Sequence, residues 1–303
     1  MSSPRSEPRK KGFWPLAIVF ALFVLFLYGP VLTIFVLSFQ GADGGLTFPM
    51  RGLSLHWYQR LWQGLGVVDI GAALRRSFAL GAAVMVLTVL LSLSAGLAFR
   101  KKLVGANLLF YVTVASLIMP SIIVSLGIGL QFRLIDAGVK ALLEAIGATD
   151  ALEGYTTSLG LFTSGLGAHL TWTLPFGLLI MFAVFNRFNP AYEEAARDQG
   201  ATPWQCFRHV VLPLVLPSVI GIGMFGFTLS WDEIARSSQA IGDLNTLPLE
   251  LQGLTTTVTD PAIYALGTLT TAVSLVVIGV ALASVAWLRA SRAGRRRRGA
   301  AGA

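Results

Sequence analysis

The sequence is short of charge and almost devoid of cysteine. Only 13% of its 303 residues are Asp, Glu, Lys or Arg, against 54% hydrophobic. A soluble domain carries about twice that charged share, so most of the chain is expected to face lipid or other apolar surface. The single Cys206 excludes an internal disulfide and any cysteine-based zinc site. His56, His169 and His209 are scattered without metal-ligand spacing, and His169 is expected to pack or hydrogen-bond within a span. No Gly-x-x-x-x-Gly-Lys-Ser/Thr stretch provides a phosphate cradle. No serine sits in a Gly-x-Ser-x-Gly elbow. Nothing argues for an enzyme, and no cofactor or metal site is expected in this chain.

What the chain has is long apolar runs. About 20 mostly apolar residues cross the hydrocarbon of a bilayer as a helix. Residues 14–39, 77–99, 108–130, 159–185 and 263–288 meet that length, and a sixth run, 212–229, is shorter and opens on Pro213 and Pro217. Pro30, Pro120 and Pro175 interrupt three of the longer runs. Such breaks are tolerated where neighbouring helices or cavity water satisfy the freed carbonyls. The expected fold is therefore all-α, a polytopic membrane helical bundle with about six transmembrane helices. The first apolar run is too long for a signal-peptide core and reads as a retained span. The Trp57–Trp62 stretch reads as an amphipathic segment at the outer interface, where aromatic residues collect.

Charge orients the bundle. With the N-terminus inside, 16 of the 23 Lys and Arg fall in cytosolic segments, and 11 of the 15 acids fall outside. The positive-inside rule then places both termini in the cytosol, with Arg75 and Arg76 as the local exception. The basic tails at 1–12 and 289–303 flank a membrane domain at 13–288. Arg295–Arg298 reads as a topology anchor against anionic membrane lipid rather than a nucleic-acid site.

One cytosolic segment, 189–213, is rich in structural signals. Asn189-Pro190 is a helix start, with a capping side chain followed by a ring whose missing N–H costs nothing there. Glu193 and Glu194 then fall where acids complement the helix dipole. Gly200 is placed to end the helix in a left-handed conformation. Thr202-Pro203 repeats the start signal and opens a second short helix toward Val211. Ala195 and Ala196 are small enough to let a partner approach closely.

This segment, Glu194-Ala195-Ala196, Gly200, Val210 and Leu212-Pro213, resembles the signature loop of the inner-membrane permeases of binding-protein-dependent ABC importers, of the type I, methionine-permease-like fold. Every spacing of that pattern is kept, and Val210 replaces the more usual Ile. The resemblance implies a cytosolic coupling helix that inserts into a cleft of an ATPase subunit, with Glu194 as a polar contact and Gly200 as the turn between two helical pieces. ATP would be bound by that partner. It also implies a second permease subunit, identical or homologous, a periplasmic substrate-binding protein, and residence in a bacterial inner membrane.

His169-Leu-Thr-Trp-Thr-Leu-Pro175-Phe176 resembles the fourth span of that family. Phe227-Thr-Leu-Ser-Trp-Asp-Glu-Ile, Thr246-Leu-Pro-Leu-Glu and Asp260-Pro-Ala-Ile-Tyr-Ala-Leu resemble the spermidine/putrescine permeases in particular, while residues 44–71 align poorly. Trp231, Asp232 and Glu233, at the outer end of the fifth span, are accordingly candidates for the substrate pathway. A carboxylate there can concentrate and pair with an ammonium substrate. The alternative for Asp232 is a structural pair with Arg236. Two other readings stay open: the same importer class carrying an opine, a phosphonate, ferric iron or a peptide, and an ion-coupled secondary transporter. Carriers of the latter kind often show internal repeats, and none is evident in this sequence.

Overall fold

The computed structural model describes residues 12–64, 69–100, 105–257 and 260–301, with the side chains of 106, 257, 281, 288, 289 and 291–301 left undescribed. The N-terminal basic tail through Lys11, together with Lys101 and Lys102, lies outside those residues. The described residues are helical throughout, apart from one isolated bridge between Gln40 and Leu53 and the connecting loops. In chain order the helices are α1 (Phe13–Leu37), α2 (His56–Gln63), α3 (Ile70–Phe99), α4 (Ala106–Ala115), α5 (Ser121–Ala145) and α6 (Thr149–Gly154). Then come α7 (Leu166–Asn186), α8 (Ala191–Asp198), α9 (Pro203–Cys206), α10 (Leu212–Trp231), α11 (Ser237–Ala240), α12 (Leu247–Thr257) and α13 (Ala262–Ala301). Single π-helical turns, Leu161–Gly165 and Phe207–Val211, lead into α7 and α10. Six helical stretches among the described residues are long and apolar enough to cross a membrane. The expected polytopic helical bundle is what the chain forms.

The described residues within Met1–Val67 and Leu254–Thr271 form one compact unit, and those within Val68–Gly253 and Ala272–Ala303 a second. In the first, α1 is exposed along most of its length, as a lipid-facing helix is. The loop after it is organised by buried Gln40, whose amide accepts from the Arg51 N–H at 2.7 Å and donates to the Gly45 carbonyl at 3.1 Å. The helix α2 is amphipathic as expected, with Trp57 and Leu61 buried and Trp62 exposed.

The second unit holds both candidate sites. Its centre is α3, which packs along α7 and α10. Small residues let these helices approach closely, the usual solution where lipid removes the hydrophobic drive between helices. A Cβ on Gly177 would collide with Ser92, and one on Gly96 would lie 2.9 Å from Met181. Thr88 and Thr173 share a buried hydroxyl–hydroxyl bond of 2.7 Å across the α3–α7 contact. Met181, Phe185, Val211, Val215 and Ile222 form the apolar core below it.

Two expected spans have different limits. The run at 108–130 is split into α4 and α5, and the helix of crossing length is Ser121–Ala145. Pro120 explains the split: it cannot donate to a helix bond, and it pushes Met119 toward extended backbone. The added half of α5 is polar, and its Asp136 accepts hydrogen bonds from the Tyr155 hydroxyl and the Thr157 hydroxyl, both at 2.6 Å. The fifth span does not begin at Leu212. Helix runs without a break from Pro203 to Trp231, because a π turn carries it into Pro213. Pro175 behaves as the sequence requires: the Thr171 carbonyl, deprived of its usual donor, accepts from the Ser116 hydroxyl at 2.8 Å.

Candidate functional site

The segment 189–213 folds as two short helices at a sharp turn. Asn189 Oδ1 accepts the Ala191 N–H at 3.0 Å, and α8 follows. At its other end Gly200 has φ +81°, and its N–H donates to the Arg197 carbonyl at 2.8 Å. The Ala201 N–H reaches back to the Ala196 carbonyl at 3.0 Å. These two bonds are the Schellman pattern, which needs a left-handed residue at this position. The second helix opens on a reciprocal capping box: Thr202 Oγ1 accepts the Gln205 N–H at 3.3 Å, and Gln205 Oε1 accepts the Thr202 N–H at 2.9 Å. Cys206 is buried beneath α8, outside any disulfide, and its thiol donates to the Glu193 carbonyl at 4.0 Å.

Burial separates two neighbouring acids that the sequence treats alike. Glu194 and Ala195 are exposed, Ala196 is half-buried, and the Glu194 carboxylate has no hydrogen bond or ion pair among the described residues. Glu193 is turned inward and meets Arg100 at 2.6 Å and Arg197 at 3.5 Å. The Arg100 guanidinium also stacks over Phe185 and Phe188, 5.2 and 5.0 Å from their centroids. Leu212 and Pro213 are half-buried in the first turn of α10, inside the continuous helix and away from the exposed face of α8. The structure thus brings Glu194, Ala195, Ala196 and Gly200 together on one exposed element.

At the far end of α10 the chain leaves helix, and a short non-helical stretch leads into α11. Buried here is Arg236, with 0% of its surface exposed. Its guanidinium donates to the Ser121 hydroxyl at 2.7 Å and the Thr171 hydroxyl at 3.3 Å, and lies 4.6 Å from the centroid of Trp172. The carboxylate that pairs with it is Glu233, at 3.6 Å, and the same carboxylate accepts the Arg236 backbone N–H at 2.9 Å. The expected alternative partner, Asp232, is not used. Asp232 directly follows the last helical residue and sits on the surface, whereas Glu233 lies three residues before Arg236 and turns back toward it.

His169 closes the cluster, with Nδ1 2.8 Å from the Ser230 hydroxyl and Nε2 2.9 Å from the Ser237 hydroxyl. It packs and hydrogen-bonds, as expected. Trp231 is buried and stacked on Phe227 at 5.7 Å. Of the three outer candidates, then, only Asp232 presents its side chain to the surface. Partial desolvation by the protein beneath it pushes that carboxyl above the usual carboxylate range. Two further acids are also committed: Glu250 lies 3.9 Å from Arg76, and Asp260 lies 3.0 Å from Arg60.

Sequence reasoning missed Arg100 and the Arg236 cluster. Apart from Glu233, three residues before Arg236, the members of each are brought together by folding from positions far apart in the chain, so no local spacing could have announced them.

The sequence pattern of the family described as binding-protein-dependent transport system inner membrane component matches residues 88–291. The spermidine/putrescine transport system permease protein PotC of Haemophilus influenzae is 28% identical over 86% of this chain and 92% of its own length. The putrescine transport system permease protein PotI of Escherichia coli is 28% identical over 96% of this chain and 95% of its own. Among solved structures, a chain of the bacterial alginate ABC transporter, in complex with an alginate pentasaccharide-bound periplasmic protein, has the same fold. It superposes with a TM-score of 0.54 at 18% identity, covering 91% of each chain. The chain belongs to the family of binding-protein-dependent transport system inner membrane components, as an ABC importer permease subunit related at modest identity to the polyamine permeases.

Proposed function

We propose that this chain is the membrane subunit of an ATP-driven importer of polyamines such as spermidine and putrescine. In this reading ATP binds and is hydrolysed on partner ATPase subunits that grip the exposed face of α8. A second permease subunit, identical or homologous, completes the pathway, and a periplasmic binding protein delivers substrate outside. The subunit lies in a bacterial inner membrane with both termini and α8 in the cytosol. Basic tails at 1–12 and 289–303 hold that orientation against anionic lipid.

The observation that carries the reading is the unbroken helix from Pro203 to Trp231. It joins the turn at Gly200 to the outer end of the bundle, so a load applied at Glu194–Gly200 acts on one continuous helix that ends beside Asp232. Nucleotide can drive such a bundle only by favouring one of its states over the other. Reversing a 1:99 population needs about 5.5 kcal/mol of such preference. That is more than one surface contact supplies, which suits a helix docked along its length in a cleft. For the substrate, the names of the relatives and the carboxylate of Asp232, which has no ion pair among the described residues, favour a cation. Trp231 and Glu233 serve the pathway by holding the end of α10 in place.

Reconstitution with the cognate ATPase subunits, second permease and binding protein tests both halves. ATP hydrolysis stimulated by putrescine- or spermidine-loaded binding protein is the expected result. Stimulation by a different ligand alone would retain the transporter and refute the polyamine.

A further inference from the structure

The two clefts beside α8 show how little else joins it to the bundle. One, of about 400 Å³, is lined by Phe182, Phe185, Asn186 and Pro190. The other, of about 350 Å³, is lined by Leu97, Trp204 and Phe207. Arg100 borders both. Packing from α8 goes to α9 and the π turn behind it. Toward α3, the one salt bridge among the described residues is Arg100–Glu193 at 2.6 Å.

Arg100 caps the C-terminus of α3 and stacks on Phe185 and Phe188 at the end of α7. One guanidinium thus ties three elements, and two of them, α3 and α7, are the most closely packed helices of the unit together with α10. Its planar fork is well shaped for this, because it can hold a carboxylate edge-on while its face rests on aromatic rings. Arg197 lies 3.5 Å from the other oxygen of Glu193, which helps to orient that carboxylate toward Arg100.

We propose that Arg100 is a positioning residue for energy coupling, forming with Glu193 a strut that passes movement of α8 to α3 and α7. The strut works in parallel with the direct path through α9 and α10. Arg100 itself touches no nucleotide or substrate, and the proposal rests on the reading that α8 is the ATPase-docking helix. Without the strut, α8 still binds its partner, but only one side of the bundle follows.

The test uses the full complex in proteoliposomes, with labelled putrescine as the uptake probe. A second readout, taken on separate chains so that uptake is always measured with Asp232 intact, does not depend on substrate identity: the rate at which an impermeant maleimide labels Asp232→Cys, in a Cys206→Ser background, with and without vanadate-trapped ATP. The unmodified strut should show a change in labelling on trapping of threefold or more. Arg100→Ala and Glu193→Gln should each keep the ATPase subunit bound, lose that change, lower uptake about tenfold and raise the ATP hydrolysed per putrescine at least fivefold. The exchange Arg100→Glu with Glu193→Arg should recover at least half of both signals, and Arg100→Lys a smaller part.

Uptake and labelling within twofold of the parent in Arg100→Ala would overturn the strut. So would loss of the ATPase subunit from Glu193→Gln, which makes Glu193 a docking contact instead. An exchange that restores membrane insertion without restoring coupling would reduce the pair to a folding role and also overturn it. A parent chain that retains no ATPase subunit, or whose labelling ignores ATP, defeats the docking reading itself and the strut with it.

Discussion

The two polar regions of this apolar chain are built by opposite means. The segment 189–213 is assembled from local contacts: caps and turn bonds between residues two to five apart, on an exposed surface. The cluster around Arg236 adds to the local Glu233 pair contacts that span 61 to 115 residues, and the Arg236 side chain is wholly buried. A local, exposed element can be handled by a partner without unfolding the bundle. A buried, non-local one holds helices together, because removing either member leaves an uncompensated charge. The difference suggests where function can move and where it is pinned.

Substitutions should separate the two regions cleanly. The largest expected effect is on transport: Gly200→Pro, which cannot adopt φ +81°, and Glu194→Lys should each abolish uptake while the chain still inserts. Membrane fractionation beside an uptake assay checks this, and normal uptake in either variant would remove the distinction. Next is stability. Arg236→Ala strands the buried end of Glu233 and should cost about 3–5 kcal/mol, seen as a lower unfolding temperature in detergent. Arg236→Lys should recover only part, since it loses the fork to Ser121 and Thr171 and the stacking on Trp172.

Asp232→Asn should leave stability unchanged and weaken polyamine uptake several-fold, mostly through KM. A drop in unfolding temperature with unaltered KM would move Asp232 from the pathway into the structural cluster. The smallest effect belongs to the cap: Thr202→Ala should cost about 1 kcal/mol. Because the loop is exposed, this should appear as faster amide exchange in α9 rather than as global unfolding.

The same contrast explains what is legible in the sequence. Asn189, Gly200 and Thr202 act through backbone groups a few residues away, so residue type and spacing are enough. The split at Pro120 is visible as a proline, but hydropathy alone favours the more apolar run before it over the polar helix that actually continues. The partner of Arg236 is legible only as a choice between adjacent acids, decided by which one lies inside the turn. The outer acids look like a free field for cations. Arg76 and Arg60 neutralise two of them, and Arg76 also donates to the Asn245 carbonyl at 2.7 Å, which gives this basic exception a structural role. Arg100 has no signal at all: it reads as one more inside charge, and its role depends on where α3 ends relative to α8.

The central claim is that the exposed face of α8 is gripped by an ATPase subunit. Placing a photo-crosslinking residue at Ala195, which is exposed beside Glu194, tests this directly in the assembled complex. The account predicts a covalent adduct between this chain and the ATPase subunit, lost when Glu194→Lys is added. A fully transporting complex that yields no such adduct from Ala195 would contradict it.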